Sequence, residues 1–223
     1  MRSANYFAIF FAVFTLIGCS SDNNDDTPDN NDNNSGGQQQ ELPKTAIADS
    51  AFEQALVLLN FDDEVDGFVL TANIENVTSL VLNDQGISDL SGIQDFINLE
   101  NLWVNDNQLE SLPISTNGRL KFIFADFNQI TALNVSALAD LEKISLIDNA
   151  LESINISNNA ALQQLVVPGN QLENLDVSAN TSLTVLDVLN NPLTCVQVSS
   201  AQQADIPTDW VIDTDDNYSI NCN

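Results

Sequence analysis

Residues 99–112 read LENLWVNDNQLESL, and Leu99, Leu102, Val104, Asn107, Leu109 and Leu112 return downstream at a fixed spacing. Aligned on the first leucine, the following units are LKFIFADFNQI at 120, LEKISLIDNAL at 141, LQQLVVPGNQL at 162 and LTVLDVLNNPL at 183. A slightly longer unit beginning VTSLVLNDQGI at 77 precedes them, and the later spacing is 21 residues four times in succession. Alternate residues of each LxL segment point to one side, so every unit should contribute a short strand that pairs with the units above and below in a parallel sheet. Asn107, Asn128, Asn149, Asn170 and Asn191 fall where each strand turns, and a buried amide there can satisfy backbone groups of its own turn and of the adjacent coil. Gln85 takes that place in the first unit with one methylene more, which predicts a looser fit.

The pattern LxxLxLxxNxL resembles the leucine-rich repeat family across residues 77–193. That resemblance implies an α/β solenoid with a parallel concave sheet. About ten residues remain for each return path, too few for a full helix, so the convex side should be extended or in short 3₁₀ turns. Solenoid ends expose their cores and need covers. Ser50 and Glu53 have capping-box spacing, and Phe52, Ala55, Leu56 and Leu59 share one helical face, which predicts a capping helix over residues 50–60. LTCVQV, then Trp210, Val211, Ile212 and a final Cys222, resembles the C-terminal caps of leucine-rich repeat proteins of Bacteroidetes. The expected organisation is a signal segment at 1–18, an acidic tether at 19–42, an N-terminal cap at 43–76, repeats at 77–194 and a C-terminal cap at 195–223.

Composition narrows the function. Five Lys or Arg against 32 Asp or Glu give a formal charge of -27, which would be repelled by DNA, RNA or anionic lipid headgroups. There is no His, which removes the commonest general base and transition-metal ligand. No nucleophile with a partnering base, phosphate loop or metal cluster stands out in the sequence, so the expectation is a non-catalytic monomer with no cofactor.

The N-terminus has Arg2, then an apolar run from Tyr6 to Ile17, 12 residues long, and then small residues. A helix spanning a bilayer takes about 20 residues, so this run reads as a secretory signal. Leu16, Ile17, Gly18 and Cys19 resemble the lipobox of bacterial lipoproteins, which implies lipid on Cys19. The alternative is an ordinary signal segment with an incidental cysteine. Residues 20–40, SSDNNDDTPDNNDNNSGGQQQ, can bury no core and should form a solvated tether. Their acidic run resembles the export signal of lipoproteins that Bacteroidetes carry to the outer face of the outer membrane, which implies an outward-facing, lipid-anchored protein. With Cys19 lipidated, Cys195 and Cys222 remain as an even pair in an oxidising context, read as a disulfide, with two free thiols as the alternative.

Trp103 lies between the inward Leu102 and Val104, so period-two geometry sends it onto the concave face. Phe124 holds the equivalent place in the next unit, and Phe122 and Phe127 are expected to face the same way. Four of the ten aromatic residues outside the signal fall on this face, and a contiguous exposed cluster marks a contact surface. Asp106, Asp126, Asp148 and Lys143 should rim it. Six strands of five residues would give a face about 24 Å by 17 Å, which suits a loop, peptide or glycan better than a large flat protein surface. The partner is therefore expected to be a protein or peptide, with a glycan as the alternative and the membrane reached only through Cys19. Asp62, Glu64 and Asp66 resemble the start of a calcium loop, but the twelfth position is Asn73 where such a loop needs a bidentate Glu.

Overall fold

The computed structural model describes residues 41–222. The signal segment, Cys19 and the tether up to residue 40 lie outside the described residues, and no helix among the described residues is long and apolar enough to cross a membrane.

Strands are numbered along the chain. The N-terminal cap is built from β1 (Lys44–Ala46) paired antiparallel with β2 (Phe68–Leu70), the helix α1 (Ser50–Leu58) and the short α2 (Thr71–Ile74). α1 buries Phe52, Ala55 and Leu56 over the open end of the first coil. A capping helix is where the sequence puts it, but the capping chemistry is different. Asp49, not Ser50, is the N-cap, its Oδ1 accepting from the Ala51 and Phe52 N–H groups. Asp49 Oδ2 turns the other way and accepts from Ser88 N–H, Ser88 Oγ–H and Asp89 N–H, tying α1 to the first coil. Glu53 does not reach back to the cap. It is 2% exposed, and its Oε1 accepts the N–H groups of Asp66, Gly67 and Phe68, which the turn at Gly67 (φ +90°) aims at it. Three donors converging on one carboxylate oxygen are a better match than the single N–H a capping box offers.

From β3 onward the chain coils. β3 (Ser79–Val81), β4 (Asn101–Trp103), β5 (Phe122–Phe124), β7 (Lys143–Ser145), β9 (Gln164–Val166), β11 (Val185–Asp187) and β13 (Trp210–Val211) form one parallel sheet in which consecutive coils are neighbours. The register pairs Leu80, Leu102, Ile123, Ile144, Leu165, Leu186 and Trp210 in a row, and all of them are buried. On the opposite side β6 (Ala132–Leu133) pairs with β8 (Ser153–Ile154), and β10 (Leu175–Asp176), β12 (Cys195–Gln197) and β14 (Asn217–Ser219) form a second short parallel sheet. The convex side is thus extended, with a 3₁₀ turn at Ile93–Asp95 in the first, longer coil.

Two dimensions differ from the sequence reading. The concave strands are at most three residues long, not five, because the chain turns at the residue after the second inward position. There are seven of them, not six, because the C-terminal segment makes another coil: Trp210 takes the leucine position beside Leu186, and Tyr218 lies across from it with ring centroids 5.8 Å apart. α3 (Ser200–Ala204), capped by Ser199 and Gln202, replaces the usual return path that leads into that coil. The Cys195–Cys222 disulfide joins β12 to the segment after β14, with the two Cα atoms 5.7 Å apart.

The turn asparagines form the ladder the sequence implies. Asn128 is representative: its Nδ2 donates to Ala125 O of its own coil and Val104 O of the preceding one, and its Oδ1 accepts Leu109 N–H. Asn107, Asn149, Asn170 and Asn191 repeat the arrangement. The Gln85 side chain is exposed and donates only within its own turn, to Asn83 O and Asp84 O, while its backbone N–H donates to Asn107 Oδ1 of the next coil.

Candidate functional site

The concave sheet positions the aromatic side chains. Trp103 and Phe124 close their strands one place beyond the buried Leu102 and Ile123, so both project from the outer face. Register sets them side by side, and their rings stack with centroids 5.7 Å apart and planes 6° from parallel. Val81 occupies the equivalent place on the N-terminal side of Trp103 and is 54% exposed. On the far side of Phe124 the place is taken by Ser145, whose hydroxyl donates to Asp126 Oδ1 at 2.6 Å. The small residue leaves a step in the apolar column before Val166. Phe122 lies in the adjacent column beside Lys143, whose ammonium stands 5.6 Å from the ring centroid.

Phe127 is placed differently from its expected position. It lies beyond the end of β5 at the corner where the strand turns, with φ +56°, and is 50% exposed. Asp84, Asp106, Asp148, Gly169 and Asn190 hold the same corner in other coils, all with positive φ. Asp, Asn and Gly tolerate that conformation, whereas a bulky aromatic adopts it only at a cost. At Gly169 a side chain is excluded twice, by φ +68° and because a Cβ would collide with the Asp148 carboxylate.

Asp106 and Asp148 are therefore exposed corner residues that border the aromatic face, and Lys143 lies within it. Asp126 is largely structural. Asn83 Oδ1 accepts Asn105 N–H, Asn105 Oδ1 accepts Asp126 N–H, and Asp126 Oδ1 accepts Ile147 N–H. This second polar ladder stops at Ile147, whose side chain has no acceptor, next to Pro168, which has no N–H to be satisfied. A third lies on the return path, where Asn117, Asn159, Asn180 and Gln202 donate to carbonyls of the preceding coil. The recurring ISTN, ISNN and VSAN segments are its signal in the sequence.

Charge is distributed unevenly around the aromatic face. The side where strands begin carries Lys121, which bonds Glu100 at 2.9 Å; this hydrogen bond and the accompanying charge hold the ammonium above its ordinary range. The side where strands end carries Asp84, Asp106 and Asp148, all exposed, and no Lys or Arg occupies the corresponding corners.

The calcium-like stretch does not converge. Asp66 Oδ1 accepts Phe68 N–H and its other oxygen lies 3.7 Å from Lys44 Nζ, while Asp62 Oδ1 accepts Asp63 N–H. Burial, with Asp63, Glu53 and Asp66 nearby, pushes the Asp62 carboxyl up. Among the described residues no three acidic or cysteine side chains are grouped so as to hold a metal ion.

No protein-family model and no curated protein sequence matches the chain. Solved structures do. The functional domain of InlJ from Listeria monocytogenes, described as including a cysteine ladder, is 26% identical and superposes with a TM-score of 0.62 over 70% of this chain and 38% of that one. An internalin (inlF) from L. monocytogenes is 22% identical over 76% of this chain and 50% of that one, with a TM-score of 0.58. Internalin C2 (inlC2) from L. monocytogenes is 21% identical over 77% and 86%, with a TM-score of 0.51. The chain thus spans well under two thirds of the first two structures it matches. Its own cysteines, Cys19, Cys195 and Cys222, do not recur with the repeat, and asparagine forms the ladder instead. Repeat spacing, asparagine ladder and superposition together establish this chain as a leucine-rich repeat solenoid of about seven coils, similar in architecture to the internalins.

Proposed function

We propose that the protein is a surface-tethered binding module: a lipoprotein of Bacteroidetes type anchored through Cys19 in the outer membrane, facing outward on its acidic tether, that holds a protein or peptide on its concave face without chemistry or a cofactor. One observation carries the binding part: the Trp103–Phe124 stack, continued by Phe122 under Lys143, is presented on adjacent strands of a rigid sheet. Aromatic side chains on a fixed backbone give contact area at little entropic cost, and an apolar centre with a charged edge is how interfaces are built. Similarity to internalin domains supports an interaction role in kind. The anchoring part rests on the lipobox-like Leu16–Cys19 segment alone.

The regular sheet is about 29 Å along the solenoid axis and about 10 Å across, so the complementary element is narrow: one extended segment or one loop. The test compares wild type with the double variant Trp103→Ala, Phe124→Ser, both as the full chain, for capture of proteins from envelope and host extracts and of polysaccharides. A protein held by wild type alone supports the reading. A polysaccharide held by wild type alone replaces it with glycan capture, and identical or empty captures favour a purely structural envelope protein. Labelling with radioactive palmitate, lost in Cys19→Ala, tests the anchor.

A further inference from the structure

We infer that the partner segment is basic: it lays an apolar side chain against Trp103 and Phe124 and extends an arginine or lysine across Phe127. This rests on the concave-face reading above and adds the chemistry of the ligand. Beyond Phe124, past Asp126 with its bonds to Ser145 and Ile147, the strand-end corner presents a further aromatic ring, Phe127, which is 50% exposed. Any segment seated on the Trp103–Phe124 stack must leave the narrow sheet by one of its two sides. On the strand-start side it meets a mixed row, Lys121 paired with Glu100 and followed by Glu142, with Lys143 already over Phe122. On the strand-end side it meets Phe127 with Asp106 one coil before and Asp148 one coil after, each about 4.8 Å along the axis.

A flat aromatic face on an acidic edge matches a guanidinium or ammonium, which is drawn to the ring face and to the neighbouring negative charge, although the Asp148 carboxylate itself leans over Gly169 in the next coil. Arginine fits better than lysine, because its planar group can stack on Phe127 and still donate to a carboxylate at its edge. An acidic segment would face Asp84, Asp106 and Asp148 and a chain of formal charge -27. The position of Phe127 agrees with this use: the same corner is Asp, Gly or Asn elsewhere, so an aromatic in the left-handed region is retained at the expense of local stability.

The test is selection of a random dodecapeptide phage library on the immobilised full chain, in parallel on wild type, on Phe127→Asn and on Trp103→Ala, Phe124→Ser. Asparagine accepts the left-handed corner, so Phe127→Asn should melt at or above the wild-type temperature. The expected result is that wild type enriches peptides pairing an aromatic or aliphatic residue with Arg or Lys. Their affinity should fall about tenfold or more between about 0.05 and 0.5 M salt, and at least about tenfold in Phe127→Asn. Peptides that need Trp103 and Phe124 but are neutral or acidic, or that bind Phe127→Asn equally well, overturn the basic-partner inference and leave the concave-face reading standing. No enrichment on wild type beyond the Trp103→Ala, Phe124→Ser background overturns both.

Discussion

Replacing Asp49 by asparagine separates the two roles of one carboxylate. Oδ1 caps α1, a contact an asparagine oxygen can keep, whereas Oδ2 accepts three hydrogen bonds from Ser88 and Asp89 that an amide NH₂ in the same place cannot accept. Net values of about 0.5–1 kcal/mol for each of these partly solvated bonds give a loss of about 1.5–3 kcal/mol for Asp49→Asn. Asp49→Ala forfeits the cap as well, adding about 1 kcal/mol. For a chain of this size 1 kcal/mol corresponds to about 2–4 °C, so Asp49→Asn should lower the thermal midpoint by roughly 3–12 °C if the cap and coils unfold together. The pH dependence fixes the mechanism. Burial opposes the charged form of Asp49, but the hydrogen bonds from Ser88, Phe52 and Asp89 outweigh it and hold the carboxyl below its ordinary value. Its contribution is therefore complete above the unfolded value of about 3.9 and is lost as pH falls through the lower folded value. Thermal melts of wild type and Asp49→Asn from pH 7 to pH 2 should differ at neutrality and converge in acid. Equal melts at pH 7, or a gap that persists unchanged at pH 2, would refute the argument.

Asn128→Ala strips partners from Leu109 N–H, Val104 O and Ala125 O inside the stack and should cost about 2–5 kcal/mol in urea unfolding, whereas Gln129→Ala on the neighbouring exposed site should change little. Gly169→Ala combines φ +68° with a collision against Asp148 and should cost about 1–3 kcal/mol; a melt at the wild-type temperature would show that the corner relaxes freely. Reducing the disulfide, which closes a separation of 27 residues, should cost about 3.5 kcal/mol and raise hydrogen exchange in 217–222 before it affects the aromatic face. Asp62 and Asp216 have the opposite sign to Asp49. Burial raises both carboxyls, so they favour the fold below the ordinary value of about 3.9, and that contribution is lost as pH rises through their raised values; Asp216→Asn should flatten the mildly acidic part of the stability profile.

The coils were legible because one constraint repeats. A residue that must be buried in every coil, such as those at 102, 123, 144 and 165, leaves a periodic trace, and the turn asparagines leave another. What escaped is chemistry that occurs once or depends on distant partners. Ser50 and Glu53 read as a capping box because the partners that decide otherwise are distant: Ser88 lies 39 residues from Asp49, and Glu53's three donors lie 13 to 15 residues away. The seventh coil was hidden because Trp210 stands in a leucine place and α3 replaces the spaced residues of the return path. At the candidate site, Trp103 and Phe124 followed from strand alternation alone. Phe127 did not, since alternation ends with the strand and the left-handed corner is encoded by the Asp, Gly or Asn found in the other coils.

Pro168 has a mechanical consequence. The polar column through Asn83, Asn105 and Asp126 ends at Ile147, beside Pro168, and the convex strands divide at the same junction, since β8 pairs backward with β6 and β10 forward with β12. Two of the lateral cross-links between coils are thus absent at one level, where β7 with β9, the Asn170 and Asn180 contacts, and the backbone bonds Asp148 N–H to Pro168 O and Gln171 N–H to Leu151 O carry the load. Tension along the axis should open the molecule at this seam in two steps. The aromatic face, on β4 and β5, belongs to the segment before the seam and the disulfide to the segment after it. A partner pulled from the aromatic face against the N-terminal end of the chain would load only the coils before the seam, and the disulfide-closed C-terminal coils would stay slack.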